Sequence, residues 1–260
     1  MTDDGSRLSQ RVGVAALIVV AVASWILLFR GAATMTAMGG DGPLMELAVA
    51  MMRPLATAPY LGATALMWVV MMTAMMTPAV LPVVLVFERL DRARGARGAQ
   101  IDGALFAAGY LLVWIGFALA ATVLQWALHR TALLHDHLLA AGPVLAGALL
   151  VVAVIYQLTS FKTACLRHCR TPLGFLLGHW QDGPGGALRM GMHHGRFCLG
   201  CCWALMLLMF VGGVMSVAAM ALLSLFILGE RLLPAGPLPA KIPGLVLLAW
   251  GAWTLALCVR

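Results

Sequence analysis

Residues 61–87 read LGATALMWVVMMTAMMTPAVLPVVLVF, 27 positions without a formal charge. About 20 consecutive apolar residues in helical form cross the hydrocarbon core of a bilayer, so this stretch is long enough to span, tilt or project. Pro78 and Pro82 each remove a helical N–H donor and predict a kink in its second half. Outward from this run, apolar stretches recur at about 12–29, 103–128, 138–159, 198–228 and 242–259. The reading is all-α: a polytopic transmembrane helical bundle of about six spans. It forms a single integral membrane domain over 1–260, with a Cys- and His-containing cytoplasmic loop at 160–197. A shorter apolar segment, Pro43–Arg53, suits an interfacial helix.

Composition agrees. Of the 260 residues, 62% are hydrophobic and 10% charged, with a mean hydropathy of +0.96. Soluble domains carry about 25% charged residues, so a soluble enzyme, a disordered regulator and a disulfide scaffold are excluded. The net charge of +7 is not a nucleic-acid footprint, because the basic residues sit in short loops, where they set orientation. With the N-terminus inside, the inner side holds Arg7, Arg11, Arg89, Arg92, Arg94, Arg97, Lys162, Arg167, Arg170, Arg189, Arg196 and Arg260. The outer side holds Arg30, Arg53, Arg130, Arg231 and Lys241. Both termini are therefore expected in the cytoplasm. Arg7 and Arg11 precede an apolar run with no small-residue cleavage site, which reads as a retained anchor. Five of the six cysteines then face a reducing compartment.

Sulfur is unevenly distributed. Apart from Met1, the 17 methionines fall between Met35 and Met76 or between Met190 and Met220, and four of the expected spans contain none. Met commonly fills irregular gaps in cores, but that role predicts an even spread. Met67, Met71 and Met75 recur at i, i+4, i+8 and share one helical face, with Met72 and Met76 as a neighbouring pair. If the chain is helical from Cys198 onward, then Cys198, Cys202, Met206, Met209 and Met220 also share a face, with Gly213 on the same stripe. Thioethers and thiolates are soft ligands that select Cu(I); a tight pack of small and sulfur-bearing side chains produces the same pattern without a metal.

The densest chemistry lies at 156–203. Cys165 and Cys169 are one helical turn apart, as are Cys198 and Cys202, with Cys201 adjacent. Two such pairs face to face offer four sulfurs, enough for a tetrahedral zinc or a Cu(I)–thiolate site. The candidate metal ligands are Cys165, Cys169, Cys198, Cys201 and Cys202, with Met67, Met71, Met75, Met206 and Met209 along the stripes. Cys198-Leu-Gly-Cys201 is also a C-x-x-C, which suits dithiol redox chemistry. Cys258 stands alone as a small apolar residue. His193-His194 and His168 lie beside the cysteines, and His129, His135 and His137 mark a polar outer loop, with metal capture as a minor alternative. Glu88-Arg89 and Glu230-Arg231 follow long apolar runs and read as self-paired interfacial charges. No P-loop, dinucleotide fingerprint or paired-carboxylate constellation occurs.

Three blocks carry a family resemblance. They are Met71-Met72-Thr-Ala74-Met75-Met76-Thr-Pro78; Tyr156 to Lys162 with Cys165, Cys169, Arg170 and Pro172; and Gly191, Gly195, Cys198, Gly200, Cys201, Cys202, Trp203 and Met206, continuing to Gly213 and Met215. Together they resemble a bacterial family of predicted metal-binding integral membrane proteins, a domain of unknown function with a Gly-Cys-Cys-Trp motif. Glu230-Arg231 sits where that family usually shows an acidic–basic pair, and Ser216 departs from a commoner Asn. The resemblance implies a bacterial inner-membrane location and a metal-binding role, but no reaction.

The expectation is a multi-pass, soft-metal-binding protein that is not an enzyme. Copper(I) is the expected metal and zinc the alternative. It would handle metal or metallate a membrane protein partner, with Met35, Met38, Met51 and Met52 collecting the ion near the outer face. Its partners would be the lipid bilayer, the ion and a membrane protein or a second copy, with no nucleic acid. The rivals are a thiol–disulfide oxidoreductase using Cys198 and Cys201, and a non-catalytic assembly subunit.

Overall fold

The computed structural model describes residues 3–37, 42–53, 57–95, 98–135 and 139–232. In chain order the helices are α1 (Asp3–Ala37), α2 (Pro43–Met51), α3 (Thr57–Ala93), α4 (Ala99–Arg130), α5 (Pro143–Gln157), α6 (Ser160–Arg170), α7 (Pro172–Gly178), α8 (Gly183–Leu207), α9 (Met209–Gly212) and α10 (Val217–Leu232). A two-residue antiparallel pair, β1 (Leu134–His135) with β2 (Ala140–Ala141), closes the turn between α4 and α5. Proline opens α2, α5, α7 and α8 within their first two positions, where the missing N–H costs no helical bond.

Among the described residues, four segments are long and apolar enough to cross a membrane: Gly13–Thr34, Ala58–Ala93, Ile101–Arg130 and Gly183–Gly212. The first three coincide with the first three expected spans. The fourth expected span is different. α5 has 15 residues, about 22 Å of helix, and is too short for a ~30 Å core; it joins α6 through a 67° bend. The sixth expected span, 242–259, lies outside the described residues, as does Cys258.

Two further expectations are corrected. Residues 160–197 are not a loop, because α6, α7 and the first half of α8 occupy most of them. The expected fifth span does not run unbroken from Cys198 to Leu228 either. It begins at Gly183, and Gly213 at φ 87° turns the chain before α10. That conformation is strained for any residue with a Cβ. Met220 is therefore on a separate helix from Cys198, and the sulfur-bearing face is not one straight stripe.

The glycine content that makes residues 183–200 read as loop has a packing cause. A Cβ on Gly191 would land on the Phe106 carbonyl, and one on Gly109 on the Leu188 carbonyl. Small residues allow α4 and α8 to approach backbone to backbone, as small-x-x-x-small helix pairs do. Gly191→Ala is expected to cost about 1–3 kcal/mol, the usual range for overpacking, read as a lowered unfolding midpoint in detergent. Gly116→Ala, with nothing within 4 Å of the new methyl, is the control and should be neutral or slightly stabilising. Equal midpoints for both variants would refute the close-contact explanation.

Trp68, Phe106, Tyr110, Trp114 and Phe210 fill the centre of the bundle. Trp68 Nε1 donates to Gln125 Oε1 at 2.7 Å, a buried polar contact across α3 and α4. Thr73, Thr77 and Thr122 turn their hydroxyls onto the carbonyl four residues back, so none of these three donors is left free inside an apolar bundle. The outward faces carry exposed Val19, Phe29, Leu119, Val123, Leu222 and Leu225, a surface suited to hydrocarbon contact.

Candidate metal centre

The site is built where α6 crosses α8. Thr159 caps α6, its hydroxyl accepting from the Lys162 N–H at 3.2 Å. The helical turn then places Cys165 and Cys169 on the face buried against α8. Cys169 Sγ lies 3.9 Å from Cys201 Sγ. Cys201 and Cys202 both donate their thiols to the Cys198 carbonyl at 3.0 Å. Cys198, Cys201 and Cys202 are at most 2% exposed, and all five described cysteines are free thiols. Cys165 sits at the edge, packed over Gly200, where an added Cβ would be 2.9 Å from its sulfur. The Tyr156 hydroxyl donates to the Gly200 carbonyl, and the Tyr156 ring meets Trp203 edge-on at 5.0 Å.

Two residues that sequence reasoning missed complete the cluster. Arg231 Nη2 donates to Cys198 Sγ at 2.6 Å and reaches Cys201 Sγ at 4.0 Å. Tyr110 from α4 brings its hydroxyl to 2.9 Å from Cys198 Sγ. Behind Arg231 a second charged layer is buried. Lys162 Nζ bridges Glu230 Oε1 and Oε2 at 2.8 and 2.7 Å, Gln157 bonds both partners, and Arg170 donates twice to the Glu230 carbonyl at 2.8 and 2.6 Å. The expected self-pairing of Glu230 with Arg231 is therefore wrong. Neighbouring residues on a helix point about 100° apart and do not face each other, so each finds a partner on another helix. Glu88 likewise pairs with Arg92 at 3.0 Å and not with Arg89. The available signal was the position itself, since an ionisable residue at the end of a long apolar run is a functional candidate by default.

Among the described residues, no three His, Cys, Asp or Glu side chains meet at metal–ligand distance as they stand. Against Cys198 lies the Arg231 guanidinium, a cation of the same charge as Cu(I). The donor set nevertheless fits a soft ion. With metal–thiolate bonds of about 2.3 Å, two sulfurs 3.9 Å apart subtend about 115° at the ion, close to a trigonal arrangement. His194, one turn before Cys198, is fully buried against Phe106, Tyr110 and Phe175. Neither of its ring nitrogens has a hydrogen-bond partner among the described residues.

The methionines lie elsewhere. Met67, Met71 and Met75 are buried along one face of α3, and Met206 and Met209 are fully buried on α8 and α9; none belongs to the hydrogen-bonded cluster around Cys198. In the last turn of α4, His129 Nδ1 is 3.2 Å from the Tyr60 hydroxyl, while Asp136, His137 and Met38 fall outside the described residues.

A cluster of buried free thiols against one guanidinium, inside an apolar helical bundle, defines a candidate soft-metal-binding protein. The particular family follows from comparison: residues 65–254 match the PpoB2 family of copper chaperones, and the chain belongs to it. The matched segment includes the five clustered cysteines and Arg231. No curated protein and no solved structure matches the chain. Copper handling is thus its general role, a more definite one than the resemblance implied.

Proposed function

We propose that the chain is a multi-pass inner-membrane chaperone that holds copper as Cu(I) on Cys169, Cys198 and Cys201 and passes it to a membrane protein partner. The observation that carries this reading is the approach of thiols from two helices, 3.9 Å apart at Cys169 and Cys201, beside the half-buried Arg231 guanidinium. Thiolates are soft ligands suited to Cu(I). Three thiolates and one Cu(I) carry a net charge of −2, and an uncompensated charge is costly in an apolar interior. Arg231 supplies one compensating charge. It balances Cys198 before loading and half of the excess charge of the copper–thiolate group afterwards.

Burial also favours a carrier over a thiol–disulfide oxidoreductase. Exchange requires a partner thiolate to reach a disulfide sulfur, whereas Cys198 and Cys201 are closed in by α4, α6 and α10. The bias of Lys and Arg toward one set of connecting segments supports a cytoplasmic side for both termini, and Arg231, counted by sequence on the outer side, instead lies against Cys198. Cys202, adjacent to the trio, is a fourth sulfur through which the ion can exchange ligands as it leaves.

Elemental analysis after anaerobic purification and copper loading tests the reading. One tightly held copper per chain is expected, absent from the Cys169→Ser/Cys198→Ser/Cys201→Ser variant. Zinc in place of copper, or equal copper in both proteins, would contradict it. The role of Arg231 has its own check. Arg231→Met keeps length and removes charge, and should weaken Cu(I) binding at least tenfold in chelator competition. Arg231→Lys should recover part of the loss. If neither substitution changes affinity, Arg231 only fills space.

A further inference from the structure

We infer a second soft-metal site, built only of thioethers, in the cavity lined by Met51, Met67, Met215 and Met220. This inference rests on the copper reading above. The cavity is half-open and has a volume of about 180 Å³ between α1, α2, α3 and the break that follows α9. Its four sulfurs come from four separate segments: α2, α3, the turn at 213–216 and α10. All the other lining side chains are Leu, Ala, Val or Gly.

Two arguments separate this from ordinary core packing. Methionine usually closes irregular gaps, yet here a gap several times the ~30 Å³ share of a liquid water molecule remains at the methionine side chains. The lining also offers no carboxylate, imidazole or hydroxyl, so the only side-chain donors are thioether sulfurs. Such a set excludes hard cations, which require oxygen ligands, and selects Cu(I). The positive φ of Gly213 is what ends α9 and carries Met215 to the cavity wall.

Position suggests its use. Met67 begins the face that continues through Met71 and Met75 to Ala79, whose carbonyl accepts a 3.5 Å contact from Arg231. Twelve residues of helix separate Met67 from Ala79, about 18 Å along the axis. A neutral thioether site leaves the charge of Cu(I) uncompensated, so it binds weakly. A weak site at one end of the methionine face and a thiolate site at the other would give an ion a downhill route along α3.

Anaerobic titration of the full chain in detergent with buffered Cu(I) distinguishes the two sites. Wild type should bind one tight and one weaker equivalent. The Cys169→Ser/Cys198→Ser/Cys201→Ser variant should keep only the weaker one. Met67→Leu and Met215→Leu, each nearly volume-conserving, should lower the weaker affinity at least tenfold while retaining the tight equivalent and the wild-type unfolding midpoint. A single equivalent removed by the cysteine changes, or a weaker equivalent indifferent to both leucines, would overturn the thioether site and leave the cysteine site standing. No copper on any variant would overturn the underlying reading as well.

Discussion

Cys201→Ser is expected to weaken Cu(I) binding by about 100-fold or more. Cys201 is the sulfur through which the cluster is joined: it faces Cys169 across the α6–α8 contact, bonds the Cys198 carbonyl and lies 4.0 Å from Arg231. Serine keeps the shape but replaces a soft thiolate with a hydroxyl that stays protonated. Loss of outer-shell partners alone typically costs 10–100-fold in metal affinity, and loss of one of three direct ligands should exceed that. Cys165→Ser is the internal contrast. Its sulfur packs over Gly200 at the edge of the cluster, so a change of less than about threefold is expected. Chelator competition on both variants decides. Equal effects would mean that the trio is wrongly chosen.

The second large effect concerns folding. Lys162→Met should destabilise the protein by about 3–5 kcal/mol, because it leaves the Glu230 carboxylate buried without its cation. Gln157 and the helix cannot replace that charge. Lys162→Met/Glu230→Leu removes both charges and should recover most of the loss, since apolar replacements of buried pairs are often neutral or stabilising. The measurement is denaturant or thermal unfolding in detergent. A single-variant loss below about 1 kcal/mol would show that Glu230 is compensated by another group. Because Glu230 precedes Arg231 on α10, the single variant should also weaken copper binding, which links the charged layer to the site in front of it.

How much of this was legible in the sequence depended on whether the pattern was local. The apolar run at 61–87 predicted α3, and the i, i+4 spacing of Met67, Met71 and Met75 predicted a shared face that proves buried. The same spacing put Cys165 and Cys169 on one side of α6. Residues 183–197 were misread because glycine has two uses, and local pattern does not distinguish a turn from a close helix contact. Here Gly191 and Gly195 lie against Phe106 and Tyr110 on α4, a relationship 85 residues distant in sequence for both pairs. The charged residues failed for a similar reason. Glu230 and Arg231 looked like partners because they are neighbours, but helix geometry sends one to Lys162 and the other to Cys198. The Gly213 turn was hidden inside an apolar stretch with no polar punctuation.

Copper K-edge X-ray absorption on protein loaded anaerobically with one equivalent of Cu(I) tests the thiolate site most directly. A reduced copper with a shell of three sulfurs at about 2.3 Å is expected, and that shell should be lost in the Cys169→Ser/Cys198→Ser/Cys201→Ser variant. A shell of nitrogen or oxygen, or the same spectrum from wild type and variant, would contradict it.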